Sequence, residues 1–596
     1  MINSYIQNII LLLFFSLSFA DCIYSIGDFN DDNNLNIIDI IGLVNNIVDE
    51  ADFEAEFDLN FDLTVNIADV IVLINRIVDI YPQSINIETV DFDFNNLSVS
   101  WQESSDYAFA SYELNYFNLI TQESEVIYST SNIDSVSILL SDFNLKEQNW
   151  FYISVIDFFG CETQGPQYYY ELPYKHYDVD EYGNVYNSEI SLDDFQSSSE
   201  CQSCHETHYQ EWTNSMHSYS MESPIFFSYK NKTMEDHPEV GDKFCSQCHN
   251  PAAYLTNTNL ESYDSVESFQ MSDLNNVLKE SIGCDICHTA TGLSQTVFTT
   301  ESGAANAIYK LYPGQNIKFG PIENPTENNF HDSYYLPTYK SSNMCLPCHD
   351  LVVDNLETEI TFTEWNRIPG FSMFGGVSCQ SCHMPEKEDG THDHSFIGVD
   401  LDLNIPYLNN PEYEKVLSMM NSAVNLEFSV WGNQLPNAIN QGDTLIIPIT
   451  IESLTAHNIP SGTSFNRDVW LELAVFNNEQ IFYSSGYINN NSDYLNYSDD
   501  NLLAFKTYLL NADGDTTRSV IDADNIINNS LAPYSQRFKQ YSVFIPDTLY
   551  GELQIQARML FRPFDPEFIL EHHSEFIDNL PVFEMAIINS TVQINQ

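Results

Sequence analysis

Five Cys-x-x-Cys-His motifs between Cys201 and His383 constrain this chain of 596 residues more than any other feature. They are Cys201-Gln-Ser-Cys204-His205, Cys245-Ser-Gln-Cys248-His249, Cys284-Asp-Ile-Cys287-His288, Cys345-Leu-Pro-Cys348-His349 and Cys379-Gln-Ser-Cys382-His383. Ten of the 12 cysteines are used in this way. Shuffling the composition would give on the order of 0.006 such motifs, so five is not chance. The spacing has a chemical reason: two thiols add to the two vinyl groups of one porphyrin, and the adjacent His reaches the iron from one face. Five covalently bound haem c groups are therefore expected, with His205, His249, His288, His349 and His383 as iron ligands. Zinc is set aside because each pair is followed directly by His and no matching second ligand pair recurs. Five porphyrins in so short a segment must supply much of its buried apolar surface, which brings neighbours close together.

The same stretch carries a longer ordered series: CQSCHETHYQEWTNSMH, GCDICHTATG, FHDSYYLPTYKSSNMCLPCHD, TFTEWNRIPGFSMFGGVSCQSCHMP and HDHSFIGV. This series resembles the multihaem cytochrome c-552/c-554 superfamily over about residues 200–400. The resemblance implies a mainly α and irregular haem domain. Its known relatives are small electron carriers, nitrite reductase and hydroxylamine oxidoreductase. AHNIPSGTSFNRDVWLEL, from Ala456, is similar to a Gly-His-x-x-Pro-Thr-Gly element in the β-sandwich that follows the haems in many of these proteins. Position within the family motifs marks His217, His331 and His394, and less directly His457, as distal iron ligands. His208, His237 and His392 stand in reserve, and His572-His573 reads as a surface pair.

Upstream, GDFNDDNNLNIIDIIGLVNNIVD from Gly27 and FDLNFDLTVNIADVIVLINRIVD from Phe57 repeat at a spacing of 30 residues. Oxygen-bearing side chains fall at loop positions 1, 3, 5, 9 and 12: Asp28, Asn30, Asp32, Asn36 and Asp39, then Asp58, Asn60, Asp62, Asn66 and Asp69. Calcium is the expected ion. An apolar period follows each loop (Ile37, Ile40, Ile41, Val44; Val70, Leu73, Ile74, Ile77) and is expected to pack the two helices together. The pair resembles a dockerin type I module. Asn33 and Leu63 stand at loop position 6, where Gly is usual; Asn tolerates a left-handed turn better, so the first loop is expected to bind calcium more tightly. A calcium-stabilised spacer and a docking module both fit this reading.

From about Ser84 to Tyr170 the period changes to alternation, as in Leu97–Trp101 and Trp150–Asp157. The buried-Trp strand and the Tyr-x-Ser-Val-x-Asp run ending at Gly160 resemble a fibronectin type III domain. A polar, acidic link from about Pro173 to Ser199 follows. After about Asp400 one short helix gives way to strand-like runs at 445–451, 469–476, 538–545 and 553–561. The expected organisation is multidomain: signal peptide 1–20, small α calcium-loop pair 21–82, β-sandwich 84–172, pentahaem domain 200–400 and C-terminal β-sandwich 425–596.

The apolar run Ile9–Phe15 and the small-x-small site Ser18-Phe19-Ala20 read as a signal for export, placing the mature protein in the periplasm or at the cell surface. No later stretch is long and apolar enough to predict a membrane helix in the mature chain. In that oxidising setting a disulfide between Cys22 and Cys161 is permitted, though sequence alone does not show it. Lys plus Arg number 20 against 86 Asp plus Glu, a net charge of −66, which argues against nucleic acid as a partner. A redox donor and acceptor are the expected partners, with a surface complex joined through the N-terminal modules. Three functions stay open: an electron carrier with bis-His haems, a reductase or oxidase of a small nitrogen or sulfur compound at an open haem, and a surface adhesion or scaffold protein. Nitrite reductases of this group use Cys-x-x-Cys-Lys at the active haem, and that motif does not occur here.

Overall fold

A computed structural model describes residues 26–595 apart from 50–52, 61, 79–80, 119–122, 146–148, 181–182, 294–306, 308 and 370–375. The expected signal peptide and Cys22 lie outside the described residues. The chain divides into two units, Met1–Leu172 and Pro173–Gln596.

In the first unit each acidic loop feeds a 12-residue helix, Ile37–Val48 and Ile67–Val78. Asn36 caps the first by accepting from the Ile38 amide, while Asp39 returns a bond to the Asn36 amide. Leu43, Leu59, Val70 and Leu73 form the shared core, with Ile40, Ile47 and Ile77 packed against it. This corrects the expected packing face. Ile37, Ile41, Val44 and Ile74 point to solvent because Asp39 and Asp69 are turned inward onto loop amides, which rotates each helix about its axis.

The β part of this unit is a two-layer sandwich. Strands Ile87–Phe92, Asn96–Trp101 and Ser137–Ser141 form one sheet. Glu123–Thr130, Phe109–Asn118, Trp150–Asp157 and Glu162–Gln164 form the other, with Tyr168–Tyr169 paired to Trp150–Asp157. Alternate residues of the two sheets meet inside, and the Trp101 and Tyr112 rings bridge them at 5.8 Å. The helix pair is tied to this sandwich by Arg76, which is buried with its guanidinium 3.6 Å from the Phe159 ring centre and 3.9 Å from Asp157. Cys161 lies beside Phe159 in the same cluster and is disulfide-bonded.

The second unit begins with the stretch read as a link, and the structure corrects that reading. Asp178–Val179 pairs with Val185–Tyr186, and Val185, Ile190 and Phe195 are buried among Phe227, Leu255 and Leu278. The few apolar residues of an acidic stretch are enough to fix it to the haem segment. That segment is built of short helices and turns, among them Glu206–Thr213, Pro224–Asp236, Lys243–His249, Cys284–His288, Thr361–Asn366 and Cys379–His383. After helix Tyr413–Asn421 come the strands of a β-sandwich. One sheet joins Val424–Glu427, Thr444–Ser453 and Gln536–Phe544; the other joins Ala438–Asn440, Phe583–Asn595, Gly551–Arg562, Asp468–Asn477 and Gln480–Ser485, with Leu503–Phe505 at its side. Their facing side chains, including Leu445, Ile447, Ile449, Leu471, Leu473, Ile555 and Met559, are fully buried in one core. Among the described residues no helix is long and apolar enough to cross a membrane.

Candidate functional site

Each Cys-x-x-Cys-His motif folds as about one helical turn, so both thiols and the imidazole are held by one short segment. In the first motif the His205 amide bonds the Cys201 carbonyl at 2.9 Å, and in the fourth the His349 amide bonds the Cys345 carbonyl at 3.0 Å. Ser198 and Ser342 fix the third and fifth motifs by accepting from the Cys284 and Cys379 amides, both at 3.0 Å.

The histidine rings are arranged in pairs. His205 faces His331 at 6.4 Å between ring centres, His288 faces His394 at 6.3 Å, His349 faces His217 at 6.3 Å, and His383 faces His457 at 6.2 Å. Two imidazoles bound to one metal through bonds of about 2 Å, each with its nitrogen roughly 1.1 Å from the ring centre, have centres about 6.3 Å apart. Three of the four pairs lie within 26° of parallel, and His217 is tilted 45° from His349. Each pair joins one motif histidine to one histidine from elsewhere in the chain.

The second ring nitrogen is also committed. Nδ1 of His288 donates to the Phe319 carbonyl at 2.8 Å and that of His383 to the Ile397 carbonyl at 2.5 Å. Nδ1 of His331, His394 and His457 donates to the carbonyls of Asp332, His392 and Asn458 at 3.0, 2.8 and 2.9 Å. Such bonds leave Nε2 as the free lone pair and fix the ring plane. Burial pushes the imidazolium pKa down to about 3 in His217 and His394 and to about 4 in His457, so these rings are neutral, the form that binds metal.

His249 is different. Its ring packs 4.5 Å from Phe226, and among the described residues no histidine ring faces it and its buried Nδ1 has no hydrogen-bond partner. The reserve histidines are engaged elsewhere. His208 stands edge-on to His394 at 4.7 Å and edge-on to His205 at 6.1 Å and 71°, His237 bonds Asp522 at 2.7 Å, and His392 donates to the Met384 carbonyl at 2.7 Å. His573, read as a surface residue, is half-buried and bonds Ser228 at 2.6 Å.

The motifs are contiguous. The thiols of Cys201 and Cys284 meet, as do those of Cys345 and Cys379 and those of Cys248 and Cys348. Cys287 lies within electrostatic reach of Cys345 and Cys348. Burial pushes the Cys245 and Cys287 thiols up to about 12, whereas a bond from Cys345 draws Cys379 down to about 7. Tyr309 braces this region, its hydroxyl 3.0 Å from the Cys348 sulfur and 2.7 Å from the Gln247 carbonyl. All ten motif thiols are free to make thioethers, and only Cys204 and Cys382 among them are exposed. Paired thiols, an adjacent imidazole and ring pairs at metal-spanning distance are a donor set that fits haem c.

In the acidic loops, Asp28 accepts from the Asp32 and Asn33 amides at 3.2 and 2.8 Å, and Asp39 from Phe29 and Asn36 at 3.0 and 2.8 Å. Asp58 and Asp69 repeat the pattern toward Asp62, Leu63, Leu59 and Asn66. Asn30 and Asn60 bond Asp32 and Asp62. The all-oxygen set suits a hard cation, but among the described residues no three His, Cys, Asp or Glu side chains are gathered as a metal cluster.

Residues 200–289 match the family model described as cytochrome c554 and c-prime. That stretch holds the first three motifs, and the match supports a multihaem c-type cytochrome with covalently bound haem. Among solved structures the chain is similar to a penta-heme cytochrome c552 from Thermochromatium tepidum: 18% identity, 67% of this chain and 100% of that one, TM-score 0.49. It is also similar to the fibronectin type-III domain of human fibronectin type III domain containing protein 3: 12% identity, 15% of this chain and 84% of that one, TM-score 0.13. No curated protein matches the chain.

Proposed function

We propose that this chain is an exported pentahaem c-type cytochrome whose function is electron transfer. The observation that carries the reading is the set of four histidine pairs at 6.2 to 6.4 Å, because two imidazoles at that spacing would hold one iron between them. Haem, when bound, supplies an iron that changes oxidation state with little rearrangement between two imidazoles. The chain's own residues do the rest: ten thiols attach the groups, carbonyl acceptors fix the imidazole planes, and desolvation keeps the His217, His394 and His457 rings neutral. Thiol contacts link the first motif to the third, the fourth to the fifth and the second to the fourth, and the third lies within electrostatic reach of the fourth, which sets the motifs in a row from first to fifth. The exposed Cys204 and Cys382 sit at the two ends of that row, where a redox donor and acceptor would approach.

A second reading rests on His249, which no histidine faces among the described residues. An iron held there from one side only would offer a site for a small nitrogen or sulfur compound, so a reductase or oxidase activity is retained for that position alone. Calcium in the N-terminal loops and attachment through that module complete the proposal. Its helices expose matching apolar stripes, Ile37, Ile41, Val44 and Val48 on one and Ile67, Ile71, Ile74 and Val78 on the other, which suit a protein surface as partner.

The test is electron paramagnetic resonance of the oxidised holoprotein beside mass spectrometry after denaturation. Five retained haems, four low-spin and one high-spin, are expected. Fewer haems, or high-spin iron in the majority, would remove the electron-transfer reading.

A further inference from the structure

His457 is the one paired histidine that comes from the C-terminal sandwich, in the loop between strands Thr444–Ser453 and Asp468–Asn477. A ligand on a loop needs something to hold that loop against the haem segment. Glu364, in the short helix Thr361–Asn366, is half-buried and receives three donors from it. The Asn458 amide donates to Oε2 at 3.0 Å, the Asn458 side chain to Oε1 at 2.6 Å and the Ser461 hydroxyl to Oε2 at 2.6 Å. Thr361 bonds the same Ser461 hydroxyl at 2.8 Å, and Ala456 packs against Leu346, Phe362 and Trp365.

The rest of the helix is anchored to two motifs. Thr363 bonds Asp350, next to His349, through its amide at 3.0 Å and its hydroxyl at 2.7 Å. The Phe362 amide donates to the His349 carbonyl at 3.0 Å, and the Trp365 indole to the Val377 carbonyl at 2.8 Å, just ahead of Cys379. One turn of helix thus holds the fifth motif from one side and the loop bearing His457 from the other.

We propose that Glu364 is the positioning residue that clamps the His457 loop and sets the His383–His457 ring pair. This rests on the reading of His457 as an iron ligand. Three charge-assisted bonds to one loop are a specific tether, and no other carboxylate bonds Asn458 or Ser461 among the described residues. Burial raises the Glu364 pKa, and the three donors oppose that by favouring the carboxylate.

The experiment uses full-length holoprotein carrying Glu364→Ala, Glu364→Gln or His457→Ala, with Glu357→Gln as a surface control. Low- and high-spin haem are counted by paramagnetic resonance and midpoint potentials by spectroelectrochemistry, with haem content checked by mass. Glu364→Ala and His457→Ala should each turn one haem of five to high spin and move one potential, and the double variant should add nothing. Glu364→Gln, which keeps an acceptor oxygen, should retain most of the low-spin signal, and Glu357→Gln all of it. If Glu364→Ala fails to fold, Asn458→Ala with Ser461→Ala removes the same bonds from the other side and should give the same loss. If His457→Ala converts one haem while Glu364→Ala and the donor variant do not, the clamp is refuted. If His457→Ala changes nothing, the ligand reading falls first and the clamp with it.

Discussion

The rings of His383 and His457 stand 6.2 Å apart and 26° from parallel, although one belongs to a motif helix and the other to a loop of the following sandwich. On the proposed reading the haem segment does not close on its own: the β domain would supply the second histidine of the fifth motif. Removing residues beyond about 425 should leave five haems attached and convert the fifth to high spin. Expression of the shortened chain followed by paramagnetic resonance checks this, and an unchanged low-spin spectrum would contradict it.

The other three pairs give the same kind of expectation. His217→Ala, His331→Ala and His394→Ala should each add one high-spin haem without loss of covalent attachment, because the thioethers do not depend on the distal ring. His208→Ala should not, since that ring lies 6.1 Å from His205 but edge-on to it at 71° and also edge-on to His394, whereas His331 faces His205 at 25°. A high-spin signal from the His208 variant equal to that from His331→Ala would reverse the assignment.

The motifs and their order were legible because covalent attachment demands a fixed local spacing. The pairing of rings was not, since it joins His205 to His331 and His349 to His217 through turns whose course depends on packing. Strands with long apolar runs, such as Asp468–Asn477, could be read from the sequence, whereas Phe583–Asn595 was missed because Asn589, Ser590 and Thr591 interrupt its alternation. The stretch 173–199 reads as a link because its polar residues outnumber the three that anchor it, Val185, Ile190 and Phe195. The helix face in the N-terminal repeats was misjudged because inward Asp39 and Asp69 break the rule that charge faces water.

Asp468 and Arg562 carry a second prediction about the sandwich. Both are fully buried, with Arg562 Nη2 2.7 Å and Lys506 Nζ 2.9 Å from the carboxylate. Burial pushes the Asp468 pKa up, but the two cations outweigh it and the net shift is downward. A carboxylate with a depressed folded pKa adds stability above its unfolded value of about 4, lost as pH falls through the folded value. Asp468→Asn should cost about 3 to 5 kcal/mol at neutral pH by leaving Arg562 short of a counter-charge. Thermal melts from pH 7 to 3 should show the wild-type advantage shrinking toward the acid end; a constant difference would exclude this ion pair as its source.

Leu63 holds φ at 65° at the turn of the second acidic loop, where Asn33 holds 63° in the first. A left-handed conformation costs a branched side chain about 1 to 2 kcal/mol, and the Leu63 side chain is 78% exposed, so no packing offsets it. Its amide still donates to Asp58 at 2.9 Å, so the turn is needed for the loop to gather its oxygens. Leu63→Gly should therefore relieve strain and tighten calcium at the second loop several-fold, while Asn33→Leu should weaken the first by a similar factor. Calorimetric titration of the calcium-stripped full chain resolves two sites of unequal affinity if this is right. Equal affinities in the wild-type protein, or no heat at all, would overturn the strain argument or the calcium assignment respectively.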